Sequence, residues 1–102
     1  TVVDEGESRP LRFALGLGYP NPFNAGVTIP FELAYQVRAT LSVYDVLGCN
    51  IATLVDQELA GGRHSVAWNG LNKWGQVVAS GAYFFRLRAG DFTAQGRILL
   101  LR

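Results

Sequence analysis

The chain has 102 residues, with nine Lys and Arg against eight Asp and Glu, so its formal net charge is +1. That length holds one domain and not two ordinary ones. The balanced charge excludes a global basic field for nucleic acid, and no acidic excess predicts disorder. A single Cys and a single His exclude an internal disulfide and a Cys/His zinc site within one chain. No apolar run reaches the roughly 18 residues that a membrane helix needs, so no membrane span is expected. No charged-then-apolar leader opens the chain. Met is absent even at position 1, which predicts a piece of a longer protein. Twelve glycines and 12% aromatics point to strands and turns, not to a helical bundle.

Residues 1–10, TVVDEGESRP, are acidic and weakly hydrophobic. They are expected to be a linker from an upstream cargo domain, with the folded domain over residues 11–102. From Leu11 onward the apolar period is two. Phe13, Leu15, Leu17 and Tyr19 form the first alternating run, and Pro20-Asn21-Pro22 ends it. Each Pro fixes its own φ and holds its predecessor extended, giving a stiff crossover that can plug one end of a sandwich with Tyr19 and Phe23. Val27, Ile29, Phe31 and Leu33 form the second run; Pro30 lacks a ladder donor and predicts an edge strand or a bulge.

Ala39, Leu41 and Val43 follow, then a tight reversal at Gly48-Cys49-Asn50. Asn50 to Asp56 reads as a shorter strand; Leu47 to Ala60 has some helical spacing, but Gly48 and Gly61 bracket it. His64, Val66 and Trp68 alternate before a loop that opens at Asn69-Gly70 and runs to Gln76. Tyr83, Phe85 and Leu87 form the next inward row, and Gly90-Asp91 is a type I′ or II′ hairpin signal. The last strand spans Phe92 to Leu101, and its Ile98-Leu99-Leu100-Leu101 end reads as buried on both faces. About seven such strands predict an all-β, immunoglobulin-like antiparallel sandwich.

Catalytic chemistry has little support. Cys49 lies in a turn and His64 on a strand, and nothing in the spacing pairs them as nucleophile and base. Asp45, Asp56, Glu58 and Asp91 are scattered near turns. Asn69 and Asn72 could cradle a Ca²⁺ only without ligand charge, and they read better as Asx-turn formers. No catalytic, cofactor or metal residues are therefore assigned. Trp68 reads as core. Trp74 reads as an exposed loop ring and is a single, weak support for carbohydrate binding. Arg86, Arg88, Arg97 and Arg102 oppose one acid, Asp91, in the C-terminal hairpin. That basic bias is either a solvated sheet face or a surface on which a partner docks.

The order of motifs resembles the type A C-terminal sorting domain of type IX secretion substrates. It comprises YPNPFN at 19–24, VTIPFEL, LSVYDVLG, IATLV, GGRHSVAWNG, VVASGAYFFRLRAG and RILLLR at 97–102. The resemblance covers about residues 13–102, and it is the combination that is specific. Cys49 stands where a basic residue often follows Leu-Gly, and Asn69 and Asn72 stand where Asp is common. Flagellar hook-capping proteins have a related sandwich with similar Trp-Asn-Gly and Ser-Gly-Ala-Tyr segments.

The resemblance implies a non-catalytic, secreted domain that carries attached cargo through the periplasm and an outer-membrane translocon to the cell surface or medium. It implies translocon components and a sortase-like peptidase as partners, processing within residues 1–10, and cargo often joined to lipopolysaccharide. Pro20, Asn21, Pro22, Phe23 and Asn24 match the first motif. Gly81, Tyr83, Gly90 and the strand from Phe92 to Arg102 match the last, with Arg97 in the place of a usual basic residue. Such a signal must be displayed, so the last hairpin is expected at a sheet edge or end, with its arginines outward. The alternative readings are an accessory carbohydrate-binding module and a structural or assembly module.

Overall fold

The computed structural model describes residues 11–102; the expected linker at 1–10 lies outside them. Seven strands form two antiparallel sheets. They are β1 (Ala14–Leu15), β2 (Val27–Leu33), β3 (Val37–Tyr44), β4 (Asn50–Leu59), β5 (Gly62–Trp68), β6 (Gly81–Ala89) and β7 (Phe92–Leu100). One sheet has the order β1-β2-β5 and the other β4-β3-β6-β7. The fold is an immunoglobulin-like sandwich, and no helix occurs among the described residues.

The inward faces are those the alternation predicts. Val27, Ile29, Phe31 and Leu33 from one sheet meet Ala39, Leu41, Val43, Phe85 and Leu87 from the other, all buried. Trp68 and Phe23 close one end of this core, with their ring centroids 5.6 Å apart. Each buried Val, Leu, Ile or Phe among them contributes roughly 1.5–3 kcal/mol in transfer terms when it leaves water.

Four expectations need correction. First, the Phe13–Tyr19 run is not one strand. Only Ala14 and Leu15 pair, with Glu32 and Phe31, and pairing resumes at a bridge between Tyr19 and Thr28. Four steps on one chain face three on the other, so one extra residue bows out between them. Leu17 is consequently 85% exposed and Tyr19 57% exposed, leaving Phe23 to plug the sandwich without Tyr19.

Second, β2 is the central strand of its sheet and not an edge; the irregularity expected at Pro30 lies on its β1 side, while its pairing with β5 is regular. Pro30 is tolerated there because its donor-less side faces the bowed segment, where its carbonyl still accepts from Gly16 N–H at 2.8 Å.

Third, β4 is the longest strand, since β3 supplies partners from Val37 through Tyr44 with two register shifts. Fourth, the Ile98–Leu101 end is not buried on both faces. β7 lies on the sheet edge with strict alternation, so Ile98 and Leu100 are buried while Leu99 and Leu101 are exposed.

β6 and β7 are joined by Gly90-Asp91 in register Ala89↔Phe92. Gly90 has φ +61° and no non-Gly residue has positive φ, which defines the type II′ turn.

Candidate functional site around the last strand

Residues from both ends of the described chain meet at β7. The ladder with β6 consumes the backbone groups of the even-numbered residues of β7 and turns those of the odd-numbered ones outward. The 19–24 segment caps the last of these. Phe23 N–H donates to Leu99 O at 2.9 Å, and Leu101 N–H donates to Phe23 O at 2.9 Å, making a parallel bridge between Phe23 and Leu100. The Asn21 carboxamide is inserted alongside: Oδ1 accepts from Leu99 N–H at 2.9 Å, and Nδ2 donates to Arg97 O at 3.3 Å. Asn24 Nδ2 donates to Leu101 O at 3.3 Å. Both flanking peptide bonds, Tyr19–Pro20 and Asn21–Pro22, are cis.

Arg102 closes the other side of the joint. Its backbone N–H donates to Ser80 Oγ at 3.0 Å, while its guanidinium donates to Val78 O at 3.1 Å and Gly70 O at 3.0 Å. Gly70, at φ +79°, leaves room for this: a Cβ there would lie 2.6 Å from Arg102 Nη2. Gly81 and Tyr83 stand opposite Leu100 and Ile98 on β6. The Tyr83 hydroxyl donates to Ala79 O at 2.6 Å, four residues upstream, as in the tyrosine corner of immunoglobulin-like sandwiches. Burial raises the Tyr83 pKa, the nearby Asp45 carboxylate adds to that rise, and Arg102 opposes it.

The structure thus joins Asn21, Phe23, Asn24, Gly81, Tyr83, Arg97 and Arg102 of the residues singled out in the sequence. Arg86, Arg88 and Arg97 project from the outer face of the four-stranded sheet, and Gly90 sits at the far hairpin tip. Arg102 differs from its fellows because its head group is spent on loop carbonyls. Two further residues are exposed to view by the structure. Tyr44 lies beneath the Arg86 guanidinium at 5.1 Å, and Gln95 faces the same side from β7. With Phe84, Asp45, Val46 and Gly48 these line a shallow pocket of about 270 Å³. Their signal in the sequence is the period-two alternation read for its outward half.

The other candidates stay apart. Cys49 is exposed in a turn whose N–H groups bond Asp45 Oδ1, while the His64 ring stacks on Phe31 and Nε2 lies 2.8 Å from Ala60 O. Asn72 Oδ1 accepts from Trp74 N–H and Gln76 N–H, both at 2.9 Å, so that loop is an Asx turn. Trp74 is 74% exposed, with Lys73 Nζ 5.3 Å from its ring centroid.

Two sheets, a buried Trp, a tyrosine corner and an edge hairpin define an immunoglobulin-like β-sandwich domain. The chain belongs to the FlgD Ig-like domain family, whose model matches residues 21–91. Among solved structures, it is similar to dimeric latent PorU from Porphyromonas gingivalis, at 14% identity and TM-score 0.70 over 85% of this chain and 9% of that one. PorZ, described as an essential bacterial surface component of the type IX secretion system of the same organism, matches at 23% identity and TM-score 0.60, over 86% and 11%. FlgD from Xanthomonas campestris, associated with hook capping in flagellar assembly, matches at 17% and 0.61, over 85% and 64%. The chain therefore spans about a tenth of the two Porphyromonas proteins and under two thirds of FlgD. No curated protein matches the sequence.

Proposed function

We propose that the domain is a non-catalytic sorting module that takes an attached cargo through a type IX outer-membrane translocon to the cell surface or medium. One observation carries this reading. The YPNPFN segment and the terminal RILLLR strand, the two outer motifs of the sorting-domain resemblance, form one hydrogen-bonded joint on an exposed sheet edge. The shared fold with PorZ is consistent with it. The joint holds the motifs in a fixed shape, so the translocon reads a folded surface and not a loose tail. Fusing residues 1–102 to a reporter in a type IX-competent host tests this. Export is expected to need residues 91–102; normal export after their deletion would sink the proposal.

A structural or assembly role is the second reading, favoured by membership of the FlgD Ig-like family. Stable self-association at equilibrium in sedimentation would support it, and a strictly monomeric domain would count against it.

A further inference from the structure

We infer that the open stretch of β7, Thr93 to Arg97, is a docking edge for an extended acidic segment of a partner protein, which adds as a fifth strand to the four-stranded sheet. This deepens the sorting reading by stating the partner's chemistry, and rests on that reading only for the partner's being export machinery.

Three observations carry it. The first is an asymmetry along one strand. The outward backbone groups of Leu99, Leu101 and the Arg97 carbonyl are taken by Asn21, Phe23 and Asn24. Those of Thr93 and Gln95, and the Arg97 N–H, have no partner among the described residues. A row of unpaired donors and acceptors at strand spacing is what an added strand bonds to.

The second is charge. Arg12 lies near Glu32 and Arg38 is paired with Asp56, whereas Arg86, Arg88 and Arg97 have no carboxylate partner among the described residues. Alternation sets these three on one face, together with Thr93 and Gln95. Side chains of an added strand on that face would lie beside Arg97 and within about 10 Å, two strand spacings, of the β6 arginines. Carboxylates at alternate positions complement that row. The Arg86 guanidinium lies over the Tyr44 ring, 5.1 Å from its centroid, which favours the outward pose that this row needs.

The third is the opposite face of the same edge. There Phe13 stacks on Phe92 with centroids 5.5 Å apart, and both, with Leu15, are only partly buried. Apolar side chains at the intervening positions of the added strand would cover them. An acidic–apolar alternation therefore fits both faces at once. A lipid headgroup or nucleic-acid phosphate would satisfy the arginines and leave the backbone row unpaired.

The test uses the 102-residue chain, ¹⁵N-labelled, with a blocked peptide alternating Glu and Val and its twin with Lys for Glu. Binding of the Glu peptide is expected to slow amide exchange at Thr93, Gln95 and Arg97 about tenfold. Added salt should weaken the effect, and Arg86→Glu with Arg88→Glu should abolish it. Gln95→Pro removes one edge donor and should also abolish it; should that variant misfold, the charge reversal decides. Equal protection by the Lys peptide, protection away from β7, or full binding by the charge-reversed domain would each overturn the inference. So would binding to phosphatidylglycerol vesicles with no slowing at Thr93 and Gln95. Failure of peptide binding while export still requires residues 91–102 removes this inference and leaves the sorting reading. Binding with export indifferent to that deletion does the reverse.

Discussion

Gly96 faces Phe85 across the β6–β7 ladder, and the Phe85 ring occupies the space a side chain at 96 would need. A Cβ on Gly96 would lie 2.5 Å from Phe85 Cζ, well inside contact distance. Here an absent side chain on an edge strand makes room for a large buried one beside it.

Gly96→Ala should therefore cost about 1–3 kcal/mol through overpacking, and Phe85→Ala about 3–5 kcal/mol through the lost ring and the cavity. Combining Gly96→Ala with Phe85→Ala should cost less than the two single changes summed, because they share one space. Urea titrations of the four proteins check this; simple additivity would show that the ring moves aside freely.

Asn21→Ala removes both bonds from its carboxamide to β7 and should cost about 1–2 kcal/mol, leaving Leu99 N–H without its acceptor. Amide exchange at Leu99 should accelerate more than at Leu87, which lies in the middle of the sheet. Uniform acceleration would mean that the joint has no local stability of its own.

Stability should fall in alkali because of Tyr83. Its phenol titrates above the ordinary 10.0 in the folded domain. The fold then keeps a proton that the unfolded chain sheds, so the contribution is complete below the unfolded value and is lost as pH rises through the folded one. Tyr83→Phe should abolish that slope and, by removing the bond to Ala79 O, cost about 1 kcal/mol at neutral pH. Thermal melts of both proteins from neutral to alkaline pH would reveal a persistent slope if another group were responsible.

Trp74→Ala should leave the melting temperature within error, since the ring is solvated and Asn72 holds the loop through backbone bonds. It also decides the carbohydrate alternative: a glycan that binds the native domain and binds the variant equally does not use this ring.

Much of the fold was legible because burial on a pleated sheet obeys a period of two. Val27, Ile29, Phe31 and Leu33 point inward as their spacing requires, and so do Tyr83, Phe85 and Leu87. Leu17 and Tyr19 obey the same local pattern and are exposed, because the lapse in pairing is imposed by Pro30 on a different strand. The carboxamide of Asn21 on Leu99 and the guanidinium of Arg102 on Gly70 were hidden for a related reason. Each links residues far apart in the chain, and no periodicity marks such a contact. The expected display of the last hairpin at a sheet edge was readable, but not that half of this edge is already capped.

The joint between Phe23 and Leu100 also sets an order in time. A nascent chain that stops short of Leu99 has no backbone on which to seat Asn21 and Phe23, so this earlier motif stays unanchored until the strand that carries Leu99 and Leu101 has been made. A receptor that recognises only the closed joint would thereby pass over prematurely terminated products.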